Sequence, residues 1–196
     1  MEIIAHRRNT IIELENTSRE YGIEVDIRSN GQDLIIHHEP FRKGELFVQW
    51  LESYNHGTLI LNVKEEGLEG HLIDMMNAKG IINYFFLDQS FPFLIKWSEA
   101  SKKRCAVRIS EFESISTVLM LKNIAQWVWV DCFSKFPLNK SEVDELKSKG
   151  FKLCVVSPEL QGRSEDLEIS EFVEMLAEKD IVIDAVCTKR PDIWDY

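Results

Sequence analysis

Short apolar runs alternate with amphipathic stretches along the whole chain. The apolar runs are rich in β-branched and aromatic residues, and several of them are apolar nearly throughout, which is typical of strands covered on both faces. The pattern predicts nine strands, over residues 3–7, 22–28, 33–39, 58–64, 82–88, 105–110, 127–133, 151–156 and 181–188.

The stretches between these runs have the spacing of helices. Apolar residues recur three and four positions apart in 44–54 and 71–80, while 141–150 and 164–180 each begin near a serine followed by acidic residues. A serine before an acidic first turn is a helix-start signal, and Lys-Gly at the end of 141–150 is a stop signal. Strands that alternate with helices predict an α/β protein with a parallel sheet.

One pair of strands breaks this alternation. Runs 22–28 and 33–39 are joined by Ser-Asn-Gly-Gln, and an Asn-Gly pair between two strands predicts a β-hairpin. The remaining rhythm of about eight repeats predicts a (β/α)8 TIM-type barrel. Such barrels typically need ~250 residues, and this chain has 196. We therefore expect one trimmed barrel domain over 1–196, with a short hairpin after its second strand.

Composition and charge narrow the expected partners and location. The formal net charge is −10, which disfavours nucleic acid and anionic membrane as main partners. No stretch has the apolar length of a membrane span or the pattern of a signal peptide. The four cysteines are far apart and lie in or beside apolar runs, as expected for buried thiols in a reducing cytoplasm. We expect a cytoplasmic protein.

Ionisable residues follow or interrupt the strands of the first third of the chain. In parallel α/β folds, sites form at the carboxyl ends of strands. Because side chains alternate along a strand, Glu24 and Asp26 share one face, as do Asn62 and Lys64. Two carboxylates on one face are a candidate site for Mg²⁺ or Ca²⁺. The alternative is that both point outward beneath a helix and pair with Lys or Arg.

Two histidines lie near these carboxylates in the predicted fold. His6 follows the first strand, and His37 lies in the return strand of the hairpin. One histidine can remove a proton from an attacking hydroxyl while a second protonates a leaving alkoxide, which is the proton transfer that phosphoester cleavage needs. Taken singly, a histidine in a strand is more often a hydrogen-bonded core residue than a catalytic one.

The ordered motifs together resemble those of the glycerophosphodiester phosphodiesterase family, which belongs to the barrel superfamily that also contains phosphatidylinositol-specific phospholipase C. The matching segments are His-Arg at 6–7, Glu-Asn-Thr at 15–17, Glu-x-Asp at 24–26, the hairpin ending at His37, and Asn-x-Lys at 62–64. This motif match covers residues 3–64. Beyond it, the resemblance rests on the strand–helix rhythm, on Ser90-Phe91 and on 186–192.

The resemblance implies a phosphoric diester hydrolase that acts on a small glycerophosphodiester-like substrate in lipid metabolism. It implies an acid–base pair of His6 and His37, a phosphate site of Arg7 and Lys64, and a Mg²⁺ or Ca²⁺ site of Glu24, Asp26 and Asn62. Glu15 and Asn16 are expected to shape the loop over the first strand.

Three positions depart from the family pattern. Arg8 replaces a glycine, His38 replaces an aspartate, and Asn62 replaces a metal-binding glutamate. The amide keeps an oxygen ligand but removes one negative charge, so we expect a weaker cation site. Two alternatives therefore stay open: a phosphate-binding barrel without catalysis, and cleavage without a metal, as in the bacterial phospholipase C relatives. The sequence does not indicate an oligomeric state.

Overall fold

All nine predicted strands are present in the computed structural model, which describes residues 1–195, and most are shorter than predicted. A tenth, two-residue strand, β4, was not predicted because it is too short to leave a pattern. The strands are β1 Glu2–Ala5, β2 Gly22–Asn30, β3 Asp33–Ile36, β4 Glu45–Leu46, β5 Leu59–Val63, β6 Tyr84–Leu87, β7 Ala106–Ile109, β8 Trp127–Val130, β9 Lys152–Val156 and β10 Ala185–Thr188.

The four predicted helices are confirmed, and residues 1–195 contain four further helices of four to seven residues. The helices are α1 Ile11–Glu15, α2 Phe47–Ser53, α3 Glu69–Lys79, α4 Phe91–Trp97, α5 Ile115–Met120, α6 Lys140–Ser148, α7 Glu165–Glu178 and α8 Pro191–Trp194, with a 3-10 helix at Pro158–Gln161. The start of α6 differs from the prediction. Asn139, not the serine at 141, caps it, in a reciprocal pair with Glu142.

The chain divides into two compact units. The N-terminal unit is Ala5–Cys105, and the C-terminal unit combines Met1–Ile4 with the chain from Ala106 onward. In the N-terminal unit, β2, β5 and β6 run parallel, whereas β3 is antiparallel to β2, and β4 to β3. The predicted hairpin of β2 and β3 is confirmed. Gly31 turns the chain there with φ of 68°, which is a conformation that glycine adopts without strain.

The core of the N-terminal unit lies between its parallel strands and its helices. Alternate residues of β2 and β5 are buried against side chains of α2 and α3; the strand residues are Ile23, Val25, Ile27, Leu59, Leu61 and Val63, and the helix residues include Phe47, Trp50, Leu72 and Met76. Burying one such side chain contributes about 1.5–3 kcal/mol. This packing fixes which face of each strand is turned to the helices, and so which face is left for polar residues.

The C-terminal unit has its own parallel strands, in the order β10, β9, β8 and β7. Every residue of β8 and of β10 is buried, as expected for strands covered on both faces. The predicted α/β class is confirmed in both units, while closure into a (β/α)8 barrel and the single-domain organisation stay predictions. All four cysteines are free and buried. Within residues 1–195, no helix has the length and apolar character that crossing a membrane requires.

Candidate active site

Side-chain alternation places four predicted site residues on one face of the parallel strands in the N-terminal unit. In β2, Glu24 and Asp26 alternate with the core residues, and β5 lies beside it with Asn62 at the level of Asp26. Lys64 follows directly after β5. Because the helices pack on the other face, the two carboxylates do not lie beneath a helix, and that part of the alternative is wrong. The pairing with Lys and Arg that it named is present at Asp26, beside Lys64 and Arg7.

Glu24 is buried and held by neutral donors. Its side chain is 1% exposed. The backbone N–H of Arg7 donates to Oε2 at 2.8 Å, and Nδ2 of Asn62 donates to Oε1 at 2.9 Å. Nε2 of His6 lies 3.8 Å from Oε2. Burial, followed by the charge of Asp26, raises the pKa of Glu24 from 4.5 to about 7, although the Asn62 hydrogen bond opposes the rise.

Arg7 has a strained backbone that serves this contact. Its φ is 51°, in the left-handed region that costs a residue with a side chain roughly 1–2 kcal/mol. This turn aims its backbone N–H at Glu24, while the guanidinium extends to within 3.4 Å of Asp26. Strained backbone of this kind is found at functional sites, where the surrounding structure holds it in place.

Asp26 is fully buried among donors and cations. Nδ2 of Asn9 donates to Oδ2 at 2.8 Å, while Oδ1 of Asn9 accepts the backbone N–H of Asp26 at 3.1 Å. Nζ of Lys64 lies 3.2 Å from Oδ1. Sequence reasoning missed Asn9, although it directly follows the His-Arg motif. Its two-point contact fixes both the backbone and the side chain of Asp26.

Lys64 joins Asp26 to a third carboxylate. Its Nζ lies 3.1 Å from Oδ2 of Asp88, the residue after β6, and Asp88 also has a left-handed backbone, with φ of 63°. The Lys64 side chain is only 14% exposed. An ammonium group between two carboxylates is positioned more firmly than a lysine at the surface, because a charged hydrogen bond to Asp88 and an ion pair with Asp26 hold it.

His37 lies at the end of β3 and is attached to the same residues through the backbone. Its N–H donates to the carbonyl of Asp26 at 3.0 Å, and its ring is half-buried. Nδ1 lies 2.9 Å from the N–H of Glu39 and 3.0 Å from the carbonyl of that residue. Gly44 approaches this segment so closely that an added Cβ would lie 2.2 Å from the carbonyl oxygen of Ile36.

Neighbouring polar residues of the hairpin form a separate group. The guanidinium of Arg28 donates to the carbonyl of His38 at 2.9 Å and to Glu65. Nδ1 of His38 pairs with Glu39 at 2.6 Å, and this hydrogen bond lowers the pKa of Glu39. The structure therefore ties these residues to one another rather than to Glu24 or Asp26.

Each predicted cation ligand contacts a protein group, although Oδ1 of Asp26 and Oδ1 of Asn62 are buried and accept no hydrogen bond from the described residues. Asn62 turns an N–H toward Glu24, whereas a metal ligand turns a lone pair to the ion. Asp26 faces the ammonium of Lys64 and the guanidinium of Arg7. Among the residues with described side chains, no three His, Cys, Asp or Glu side chains form a group that could hold a metal ion. In this arrangement the residues do not fit a divalent cation, and the Mg²⁺ or Ca²⁺ site stays a prediction.

The C-terminal unit has buried carboxylates with different surroundings. Asp131, directly after β8, pairs with Arg108. It also accepts a hydrogen bond from Nε2 of Gln161 at 3.0 Å. Glu159 accepts hydrogen bonds from Ser157, from the hydroxyl of Thr188 at 2.7 Å and from the N–H of Lys189 at 2.9 Å. Its two oxygens thus connect the 3-10 helix to the end of β10, which is a structural role.

No protein-family model matches the sequence, and no curated protein is significantly similar to it. Solved structures are similar over nearly the whole chain. A glycerophosphodiester phosphodiesterase from Agrobacterium tumefaciens str. C58 aligns with a TM-score of 0.70 and 13% identity, covering 100% of both chains. The chain has the fold of that enzyme. A glycerophosphoryl diester phosphodiesterase from Parabacteroides distasonis aligns with a TM-score of 0.64 and 11% identity, over 97% of this chain and 83% of the other.

Proposed function

We propose that the protein is a phosphoric diester hydrolase that acts on a small glycerophosphodiester-like substrate. The observation that carries the proposal is the convergence of His6, Arg7, Glu24, Asp26 and Lys64 within hydrogen-bond or ion-pair distances. The shared fold with glycerophosphodiester phosphodiesterases supports it. The reaction adds water to one P–O bond, so that a phosphomonoester and an alcohol leave.

We assign the proton transfers to His6 and His37. One imidazole takes a proton from the attacking water, and the other gives a proton to the alkoxide oxygen as its bond to phosphorus breaks. The backbone around His37 suits either role. When the ring is neutral, Nδ1 can accept the N–H of Glu39, and when the ring is protonated, Nδ1 can donate to the carbonyl of Glu39. Nε2 is then the nitrogen that exchanges protons with the substrate.

We assign the phosphate to Arg7 and Lys64. The Arg7 side chain is 42% exposed, although it also lies near Asp26, so its guanidinium has donors that an incoming anion can meet. Lys64 supplies a fixed ammonium between Asp26 and Asp88. Positive groups held in place stabilise the charge that builds on the non-bridging oxygens in the transition state, because they need no reorganisation.

A second candidate function is the binding of a phosphate ligand without turnover. The observation that favours it is Asn62, where the resemblance places a carboxylate. This candidate keeps Arg7 and Lys64 as anion ligands but gives no proton transfer to the histidines. Calorimetry that detects glycerol phosphate binding to a protein without diesterase activity would support it.

The test is steady-state turnover of glycerophosphodiesters by the wild type and by His6→Ala and His37→Ala. Removing a general acid or base typically costs at least ~100-fold in rate, so we expect both variants to fall by this much. His71→Ala is the matched control, because His71 is exposed on α3 and should keep the wild-type rate. Turnover that survives both site substitutions unchanged would disprove the acid–base assignment.

A further inference from the structure

The residue at position 62 determines whether the buried Glu24 carboxylate faces a hydrogen-bond donor or another acceptor. Nδ2 of Asn62 donates to Glu24, and Oδ1 of the same amide is buried with no hydrogen-bond partner. If the amide were turned the other way, Oδ1 would face Glu24, two acceptors would meet, and the Glu24 contact would be lost. The amide therefore serves Glu24 as a hydrogen-bond donor. A glutamate at this position would instead add a third acceptor group, which a cation or a bound proton would have to compensate.

Lys64 occupies the space beside the other carboxylates. Its ammonium lies 3.2 Å from Asp26 and 3.1 Å from Asp88. Asp26 is fully buried, so water does little to stabilise its negative charge. The stabilisation comes mainly from the cations beside it, Lys64 and Arg7. A divalent cation that bound Asp26 would have to displace the ammonium, or lie against it and against Arg7 at the cost of repulsion between like charges.

From these two contacts we propose that the Lys64 ammonium is the resident cation of this site, and that the site acts on phosphodiesters with no divalent metal. The proposal rests on the proposed function, which supplies the reaction. Asn62 and Asn9 act as positioning residues, because each holds one carboxylate through an amide N–H. The inference rests on the hydrogen-bond donors that face Glu24 and Asp26, which are the two amide N–H groups and the Lys64 ammonium.

The first experiment titrates the wild-type protein with calcium chloride and with magnesium chloride in a calorimeter. We expect no saturable heat of binding up to millimolar metal. We also expect diesterase turnover in excess chelator to lie within about twofold of turnover in added metal, because a site that binds no metal loses nothing to a chelator. Saturable binding, or turnover that disappears with chelator and returns with either metal, would overturn the proposal.

This experiment separates failure of the inference from failure of the proposed function. A protein with no turnover under any metal condition would contradict the hydrolase proposal, whereas calorimetry would still decide whether a metal binds. Turnover that requires metal would leave the hydrolase proposal intact and overturn the role of Lys64.

The second experiment restores a carboxylate with Asn62→Glu. The added charge faces Glu24, and we expect calcium affinity to rise at least ~10-fold because cation affinity follows the number of charged ligands. Asn77→Glu is the matched control, since it adds the same charge at an exposed position of α3 and should leave calcium binding unchanged. A folded Asn62→Glu protein that binds calcium no better than Asn77→Glu would show that residue 62 does not govern the choice of cation. Should Asn62→Glu not fold, the wild-type titration alone decides the proposal.

Discussion

Glu24 in the N-terminal unit and Glu111 in the C-terminal unit both accept backbone N–H groups near strand ends, yet their pKa values move in opposite directions. Burial and the Asp26 charge raise the pKa of Glu24 to about 7. Burial also acts to raise the pKa of Glu111, but hydrogen bonds from Ser134 and Lys135 outweigh it and lower the pKa to about 2. Water access and the number of donors, more than charge alone, decide which carboxylate stays ionised.

The comparison separates an anchoring carboxylate from one in a candidate active site. Glu111 receives three backbone N–H groups and one hydroxyl from 133–135, the loop after β8, so its negative charge is well compensated. Glu24 receives one backbone N–H and one amide N–H, and a second carboxylate lies close by. A group that is under-compensated in this way is poised to change its protonation or its partners when a ligand binds.

Among the changes that test this comparison, removing Asp26 should cause the largest loss of stability. Asp26→Ala leaves Lys64 with Asp88 alone, removes the ion-pair partner of Arg7 and leaves Nδ2 of Asn9 without its acceptor. Breaking a buried pair by removing one partner typically costs roughly 3–5 kcal/mol of stability. The free energy of unfolding from urea titration measures the loss. Asp74→Ala, at an exposed position of α3, should change stability by no more than about 0.5 kcal/mol. Equal losses for the two variants would contradict the buried ion-pair account.

The raised pKa of Glu24 should make stability depend on pH. Because the folded state binds the proton more tightly than the unfolded chain, this contribution is fully present below the ordinary pKa of 4.5 and is lost as pH rises through about 7. Relative to Glu24→Gln, the wild type should lose on the order of 1–3 kcal/mol over that interval. Unfolding measured across the interval tests this, with the exposed Glu20→Gln as control. If the difference in unfolding free energy between the wild type and Glu24→Gln does not change with pH, the raised pKa of Glu24 is refuted.

The lowered pKa of Glu111 should give the opposite and smaller effect. Its stabilising contribution is present above the ordinary value of 4.5 and disappears as pH falls through about 2. Since the Glu111 side chain is partly exposed, Glu111→Ala should cost only about 1 kcal/mol at neutral pH. Thermal unfolding measures this, with Glu174→Ala on the exposed face of α7 as control. A Glu111→Ala protein as stable as the control would show that the loop needs no such anchor.

The sequence predicted the face of the candidate site well because strand periodicity is a local property. Alternation in β2 and β5 determines that Glu24, Asp26 and Asn62 lie opposite the apolar residues of the core, and the packing of α2 and α3 confirms it. The Asn-Gly turn likewise predicted the hairpin that brings His37 beside Asp26. These features depend on spacing within a few residues.

The sequence did not reveal how the carboxylates are compensated, because that depends on side chains that meet across the chain. Asn9 reaches Asp26 over 17 positions, and Lys64 reaches Asp88 over 24. The anchor of Glu111 depends on a loop conformation after β8 that has no sequence pattern of its own. The direction of an amide also carries no signature in sequence, and at Asn62 this direction decides between a metal ligand and a hydrogen-bond donor.

The most direct test of the central claim is single-turnover release of glycerol phosphate from a glycerophosphodiester by His6→Ala, His37→Ala and the double variant. If the two imidazoles act in one proton-transfer sequence, each single variant should lose at least ~100-fold and the double should be little slower than the slower single, because residues that act as a unit are not additive. A single variant that keeps the wild-type rate, or a wild type that releases no product, would contradict the account.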